Sequence, residues 1–199
     1  KDNKKNVHFI GLVSDGGVHS HIDHLKGLCR AADAFGLGDD TFVHAFTDGR
    51  DCDPKSGKGF LEDLQNTLYQ TGVRLATISG RYYAMDRDKR WERVKLAYDA
   101  LVHANGETSK DLLESIKASY NKDITDEFIN PVINANIANT KIEEGDAVIC
   151  FNFRTDRCRE ITHVLTQSDM PEFGMKTIAL HYTTMTQYDQ SFKGVHVMY

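Results

Sequence analysis

The sequence has few of the features that mark disulfide-bonded, zinc-binding or membrane proteins. It contains only four cysteines (Cys29, Cys52, Cys150 and Cys158), and none of them shows CxxC spacing. We therefore expect reduced thiols and no structural zinc site. No apolar run approaches the roughly 20 residues that a membrane-spanning helix needs. The polar start leads into only a strand-length apolar run, so we expect no signal peptide and a cytoplasmic location.

The chain also lacks an excess of positive charge. Its formal net charge of -5 argues against a nucleic-acid-binding surface, which normally carries a surplus of Lys and Arg. Any site for an anion must then be local, formed by arginines grouped against an acidic background. No Ser-His-Asp or Cys-His arrangement stands out, and no pair of acids suggests glycoside cleavage. The sequence thus indicates a binding site without an obvious nucleophile.

What the sequence does contain is a regular alternation of strand-like and helix-like segments. Apolar runs predict strands at residues 7–13, 41–47, 73–78, 147–151 and 176–182, and helical periodicity follows most of them. The alternation predicts an α/β fold, a three-layer sandwich with a mostly parallel central sheet and helices on both faces. Residues 105–143 are less regular, and we expect a helix near 112–120 and a small hairpin within 132–142. No linker divides residues 1–199, which we treat as a single domain.

Four of the predicted strands end in turns that carry charged or imidazole side chains. In open α/β sheets, ligands bind in the crevice beyond the carboxyl ends of the strands, so these residues should converge. Guanidinium groups offer a fork of donors that matches phosphate or carboxylate. The sequence therefore predicts an anion site made from His19, Arg50, Asp51, Arg81, Arg87, Arg154 and Arg157.

Two of these turns allow more than one interpretation. Asp51 could accept a proton from a substrate hydroxyl, or it could be a turn aspartate that bonds its own backbone. The glycines of Asp15-Gly16-Gly17 could bring backbone amides near an anion, although the GxGxxG and Walker spacings are missing. Arg90 and Arg93, three residues apart, are expected on the outer face of a helix beside Glu92.

Three histidines lie close together at His19, His21 and His24. Such a cluster allows a metal-dependent hydrolase as one hypothesis, but the spacing matches no strong metal signature. We favour ligand binding for His19 and assign no role to the other two.

Four blocks of this sequence resemble the cofactor-independent phosphoglycerate mutases. They are SDGGVHSH at 14–21, DGRD at 48–51, SGRYYAMDRDKRWER at 79–93 and NFRTDR at 152–157. The similarity extends over essentially the whole chain. Thr155 departs from the proline that is frequent in the family, which leaves both neighbouring arginines in place.

The resemblance implies one domain of a longer, two-domain isomerase that interconverts 2- and 3-phosphoglycerate in glycolysis and gluconeogenesis. This chain resembles the phosphotransferase domain, which binds substrate through the seven residues of the predicted anion site, with Asp51 as the proton-transfer residue. The phosphatase-like domain, with its transiently phosphorylated serine and two manganese or magnesium ions, has no counterpart here. We therefore expect no metal in this chain and no activity of the chain alone.

The partners that follow are phosphoglycerate and the phosphatase-like domain of the same polypeptide, with no nucleic acid and no membrane, and we expect a monomer. A stand-alone binding module for a small phosphorylated acid is the alternative.

Overall fold

The structure is a computed structural model that describes residues 5–199. One sheet of eight strands runs through it, in the order β4-β5-β3-β2-β1-β6-β7-β8. The strands are β1 Val7–Leu12, β2 Thr41–Thr47, β3 Arg74–Gly80, β4 Glu107–Ser109, β5 Val132–Asn134, β6 Ala147–Cys150, β7 His181–Thr184 and β8 Val195–Val197. The helices are α1 Ile22–Ala34, α2 Gly57–Thr71, α3 Arg81–Ala84, α4 Trp91–Tyr98, α5 Leu112–Tyr120 and α6 Arg159–Thr166.

The sheet is mostly parallel, as the alternating pattern predicts. Of its strand pairs, β3 with β5 is antiparallel and the others are parallel, so β4 and β5 run against the other six strands. The central strands are covered on both faces, which explains their nearly continuous apolar character. Every residue of β2 is buried.

Two apolar cores lie on opposite faces of the sheet. Successive strand residues point to opposite faces, so Phe9 belongs to one core and Ile10 to the other. Helices α1, α2 and α5 cover the first core, and α4 and α6, together with Ala84 of α3, cover the second. The three-layer α/β sandwich predicted from the sequence is confirmed.

Two local predictions are wrong. No hairpin forms within 132–142, because β5 pairs with β3 and β4, which both precede it, and not with the segment that follows it. The fifth predicted strand, at 176–182, is displaced to β7. The preceding backbone bonds elsewhere, since the Thr177 N–H donates to the Asp169 carboxylate and the Ile178 N–H to the Leu165 carbonyl.

A close backbone approach fixes the end of β3. The Gly80 N–H donates to the Ile129 carbonyl, and a Cβ at Gly80 would lie 2.3 Å from the Glu127 carbonyl oxygen. Only glycine fits between these two segments, and Arg81 follows it immediately in the one-turn helix α3. Within residues 5–199, every helix is too short or too polar to cross a lipid bilayer.

Candidate anion-binding site

The polar turns meet because their strands are neighbours. Strands β3, β2, β1 and β6 lie side by side and run parallel, so their carboxyl ends share one edge of the sheet. The segments that follow them, including the one-turn helix α3, carry all seven residues of the predicted anion site. Gly16 packs directly against the second of these loops, where a Cβ would lie 3.1 Å from the Asp51 carbonyl oxygen.

Arg81 is the buried centre of the site. Its guanidinium is only 2% exposed. Nη1 donates to Asp48 Oδ1 at 2.7 Å and to Asp51 Oδ2 at 2.6 Å, and Nη2 lies 3.0 Å from His19 Nε2. Although burial lowers the pKa of Arg81, the hydrogen bonds to the two carboxylates raise it above its ordinary value. Arg81 thus binds groups of its own chain and orients Asp51 and His19.

Asp48 holds the turn that carries two of the predicted residues. Its Oδ1 accepts the backbone N–H groups of Arg50 and Asp51, and its Oδ2 accepts from Ser14 Oγ at 2.7 Å. Burial raises the pKa of Asp48, but these hydrogen bonds together with Arg81 bring it below its usual range. Asp48 is therefore an ionised group that stabilises the turn. The side chain of Asp51, whose backbone N–H it accepts, remains partly exposed.

His19 is a buried, neutral imidazole. Because a guanidinium only donates hydrogen bonds, the contact with Arg81 makes Nε2 an acceptor and places the ring proton on Nδ1. Burial, and then the charge of Arg81, lowers the pKa of His19 to about 4. Nδ1 faces Asp156 Oδ1 at 3.5 Å, and Nε2 lies 3.5 Å from Asp51 Oδ2.

Asp156 gathers a second group of the predicted residues. Its Oδ2 accepts from Arg87 Nη1 at 2.8 Å, and its Oδ1 lies 3.2 Å from Arg154 Nε. Burial raises the pKa of Asp156, but the hydrogen bond from Arg87 and the charge of Arg154 bring it below its ordinary value. Arg87 and Arg154 remain 44% and 47% exposed, so both guanidinium groups keep donors free for solvent or a ligand.

A cavity of about 430 Å³ opens beside this buried centre. Arginines outnumber acids in its wall, six to three. The cavity is lined by Arg50, Arg81, Tyr82, Met85, Asp86, Arg87, Asp88, Arg90, Arg93, Glu127, Phe128 and Arg157. The excess of guanidinium groups over carboxylates favours an anion as the ligand of this cavity.

Arg157 is the least compensated charge in this wall. The contact that the structure gives its guanidinium is with the Met85 carbonyl oxygen, at 3.3 Å from Nη1. Burial lowers the pKa of Arg157, and the charges of Arg81, Arg87 and Arg50 lower it further. A half-buried cation surrounded by other cations is unfavourable by itself and would be stabilised by a bound anion.

Four of the seven predicted residues line the cavity, namely Arg50, Arg81, Arg87 and Arg157. His19 and Asp51 lie behind Arg81, and Arg154 is linked to the group through Asp156.

The sequence interpretation of two further arginines was wrong. Arg90 and Arg93 also line the cavity, although they were expected on the outer face of a helix. The Arg93 guanidinium lies 3.8 Å from the ring centroid of Tyr82, and both arginines face Asp86. The aromatic residues directly after Arg81 were the available signal, because guanidinium groups stack on aromatic faces.

The other two histidines of the sequence cluster, His21 and His24, lie outside this cavity. His21 caps the N-terminus of α1, where its Nδ1 accepts the Asp23 N–H at 3.2 Å. His24 packs edge-on against Phe153. Among residues 5–199, no three His, Cys, Asp or Glu side chains come together as a set of metal ligands.

Comparisons with known proteins point to one family. The family model described as BPG-independent PGAM N-terminus matches residues 1–190. A 2,3-bisphosphoglycerate-independent phosphoglycerate mutase of Bacteroides fragilis is 57% identical over 200 residues, which are 100% of this chain and 39% of that protein. The enzyme of the same name from Clostridium perfringens is 48% identical over 202 residues, again 39% of its length.

A solved structure of Leishmania mexicana phosphoglycerate mutase superposes with a TM-score of 0.82 at 30% identity. That match covers 94% of this chain and 36% of the other. The chain therefore spans about two fifths of the length of the curated relatives that it matches.

Proposed function

The chain belongs to the family of N-terminal domains of 2,3-bisphosphoglycerate-independent phosphoglycerate mutases, and on that premise we propose that it holds 2- and 3-phosphoglycerate while a phosphate group moves between the two hydroxyls. In this proposal residues 1–199 form the phosphotransferase domain, and the rest of a longer polypeptide supplies the phosphate acceptor. The complete protein would be an isomerase of glycolysis and gluconeogenesis, a cytoplasmic monomer.

The observation that carries the proposal is the charge of Arg157, which forms no ion pair with a carboxylate in the part of the chain that the structure describes. Its guanidinium lies in the same wall as those of Arg50 and Arg87. The three positive charges have fewer than three carboxylate partners. Phosphoglycerate brings both a phosphate and a carboxylate, so it needs several guanidinium forks to balance and orient it. The cavity supplies that balance.

Asp51 and His19, which lie behind the cavity, have a different role in this proposal. We assign proton transfer at the substrate hydroxyls to Asp51, which is partly exposed and fixed by Arg81 at 2.6 Å. His19 is neutral and presents Nε2 only as an acceptor, so it would orient a hydroxyl and would not add positive charge. Arg154 and Arg87, joined through Asp156, would hold the glycerate during the interval between the two transfers.

The serine that accepts the phosphate and the pair of manganese or magnesium ions belong, in this proposal, to the rest of the polypeptide. The described residues of this chain do not offer a set of metal ligands that would hold such ions. The contribution of this chain is to keep the glycerate bound until the phosphate returns. This retention of the glycerate distinguishes a mutase from a phosphatase.

The test uses this chain and the complete enzyme side by side. Titration calorimetry of the chain with 3-phosphoglycerate should show binding, with 1,3-propanediol as an uncharged three-carbon control that does not bind. A coupled assay should show interconversion by the complete enzyme and none by the chain alone. Interconversion by the pure chain, or a chain with no affinity for either phosphoglycerate, would contradict the proposal.

A further inference from the structure

The turn that carries Arg87 is held by two acidic side chains that point into the protein. Asp86 Oδ2 accepts the backbone N–H groups of Asp88 at 3.0 Å and Arg90 at 2.9 Å. Glu160 Oε1 accepts the Lys89 N–H at 2.8 Å. Lys89 has a φ of 57°, a left-handed conformation that is unfavourable for lysine. The turn is therefore kept in a strained form by hydrogen bonds to Asp86 at its start and to Glu160 from outside it.

Glu160 reaches this turn from a different element. It lies in the first turn of α6 and is 8% exposed, which is unusual for a glutamate. Its Oε2 is buried and has no hydrogen-bond partner among residues 5–199, while Oε1 is the atom that accepts from Lys89. A buried carboxyl oxygen without a donor favours the protonated form of Glu160.

The electrostatics agree with that arrangement. Burial raises the pKa of Glu160 to about 7; the Lys89 N–H opposes this increase, and the Asp86 and Asp88 carboxylates add to it. A protonated Glu160 can accept from Lys89 through one oxygen and donate to Asp86 through the other. Both carboxyl groups are then satisfied, and the turn between them is fixed at three backbone N–H groups.

We propose that Glu160 is a positioning residue for Arg87, which it holds at the cavity wall by fixing, together with Asp86, the turn of residues 86–90. Glu160 lines a neighbouring groove of about 570 Å³ and not the arginine-rich cavity, so it does not touch a ligand there. Glu160 influences the site by fixing the backbone on either side of Arg87, and so the position of the Arg87 side chain. The inference rests on the proposed function only where it predicts the affinity for phosphoglycerate.

The first test needs no ligand. Backbone heteronuclear NOE values of Arg87 and Lys89 should fall in Glu160→Ala, because their turn loses an anchor. They should keep the wild-type values in Glu160→Gln, because a glutamine accepts from Lys89 and donates to Asp86 as a protonated glutamate does. Glu114→Ala, at an exposed glutamate of α5, is the matched control and should change neither value. Unchanged values in Glu160→Ala, or lowered values in Glu160→Gln, would overturn the proposal.

The second test measures binding of 3-phosphoglycerate by calorimetry. Glu160→Ala should weaken binding about tenfold, the loss expected when one hydrogen bond to a charged group is disordered. The loss should disappear in an Arg87→Ala background, since a double-mutant cycle isolates effects that act through one contact. A merely structural role would instead weaken both backgrounds equally.

Failure of the proposed function can be told apart from failure of the role proposed for Glu160. If the wild-type chain does not bind phosphoglycerate, the proposed function fails, while the NOE comparison still decides the role of Glu160. If Glu160→Ala does not fold, Glu160→Asp takes its place, with a shortened side chain that should lower the NOE values of the turn. Glu160→Gln must bind as tightly as wild type, and a tenfold loss there refutes the inference by itself.

Discussion

Replacing Arg157 by glutamine should separate binding from stability. The substitution removes a half-buried charge whose contact in the free protein is a single carbonyl oxygen at 3.3 Å. Its pKa is lowered by burial and by three neighbouring arginines, so the charged form is held less favourably in the folded protein than in the unfolded chain. We expect Arg157→Gln to leave the free energy of unfolding unchanged or to raise it by up to about 1 kcal/mol.

The same substitution should weaken ligand binding. A hydrogen bond to a charged group contributes roughly 1.5–3 kcal/mol, which corresponds to about a 10- to 150-fold rise in Kd for 3-phosphoglycerate. Calorimetry measures that rise, and thermal unfolding should show Tm constant or higher by up to about 4 °C for a chain of this size. Arg30→Gln, at an exposed arginine of α1, is the matched control for the loss of one positive charge.

A clear fall in Tm for Arg157→Gln would show that the charge is compensated in the free protein. Unchanged affinity would show that Arg157 does not face the ligand. Either result refutes the reasoning that identifies this arginine as the cavity's unpaired cation.

Three further predictions concern the centre of the site and its edge. Arg81→Ala should lower the free energy of unfolding by about 3–5 kcal/mol in denaturant titrations, because it leaves buried carboxylates unpaired; a loss below about 1 kcal/mol would contradict the pairing. Gly80→Ala should destabilise the fold by about 1–3 kcal/mol through the 2.3 Å contact of its Cβ with a neighbouring carbonyl. Gly59→Ala, in the exposed first turn of α2, should not destabilise the fold and serves as its control. Since the folded pKa of His19 is about 4 and the unfolded value 6.5, its buried neutral ring should cost stability progressively as pH falls from 6.5 to 4. The wild-type unfolding free energy should therefore fall relative to His19→Gln over that interval, and parallel pH profiles would argue against a buried neutral imidazole.

The central strands could be predicted because the pattern that indicates each of them lies within its own short stretch of sequence. The apolar runs that became β1, β2 and β6 are bounded by polar turns, and strands covered on both faces need no alternation. Their order in the sheet was not predicted, but the rule that ligands bind beyond the strand ends needs only their direction. That rule is why residues far apart in sequence were expected to meet.

The edges of the sheet could not be predicted, because their pairing depends on partners distant in sequence. Strand β5 has three residues and is defined by β3 and β4, and β8 is defined by β7. Such short segments carry too little periodicity to indicate a strand without their neighbours.

The sequence predicted four of the arginines in the cavity wall, but it placed Arg90 and Arg93 elsewhere and did not predict which charges pair. Nothing in the order of residues shows that Arg81 is neutralised by Asp48 and Asp51, while Arg157 has no carboxylate at ion-pair distance among residues 5–199. That difference depends on burial and on distances of about 3 Å between separate loops. The roles of Asp156 and Glu160 arise in the same way, from contacts that only the folded chain creates.

The most direct test of a phosphoglycerate site at this edge of the sheet is an NMR titration of the arginine Nε–Hε groups. With increasing 3-phosphoglycerate, the signals of Arg50, Arg87 and Arg157 in the cavity wall, and of Arg154 beside it, should shift together and report one Kd. The signal of the exposed Arg30 should stay in place. If these four signals do not move, or if they move no more than Arg30, the strand-end cavity is not where this chain binds its ligand.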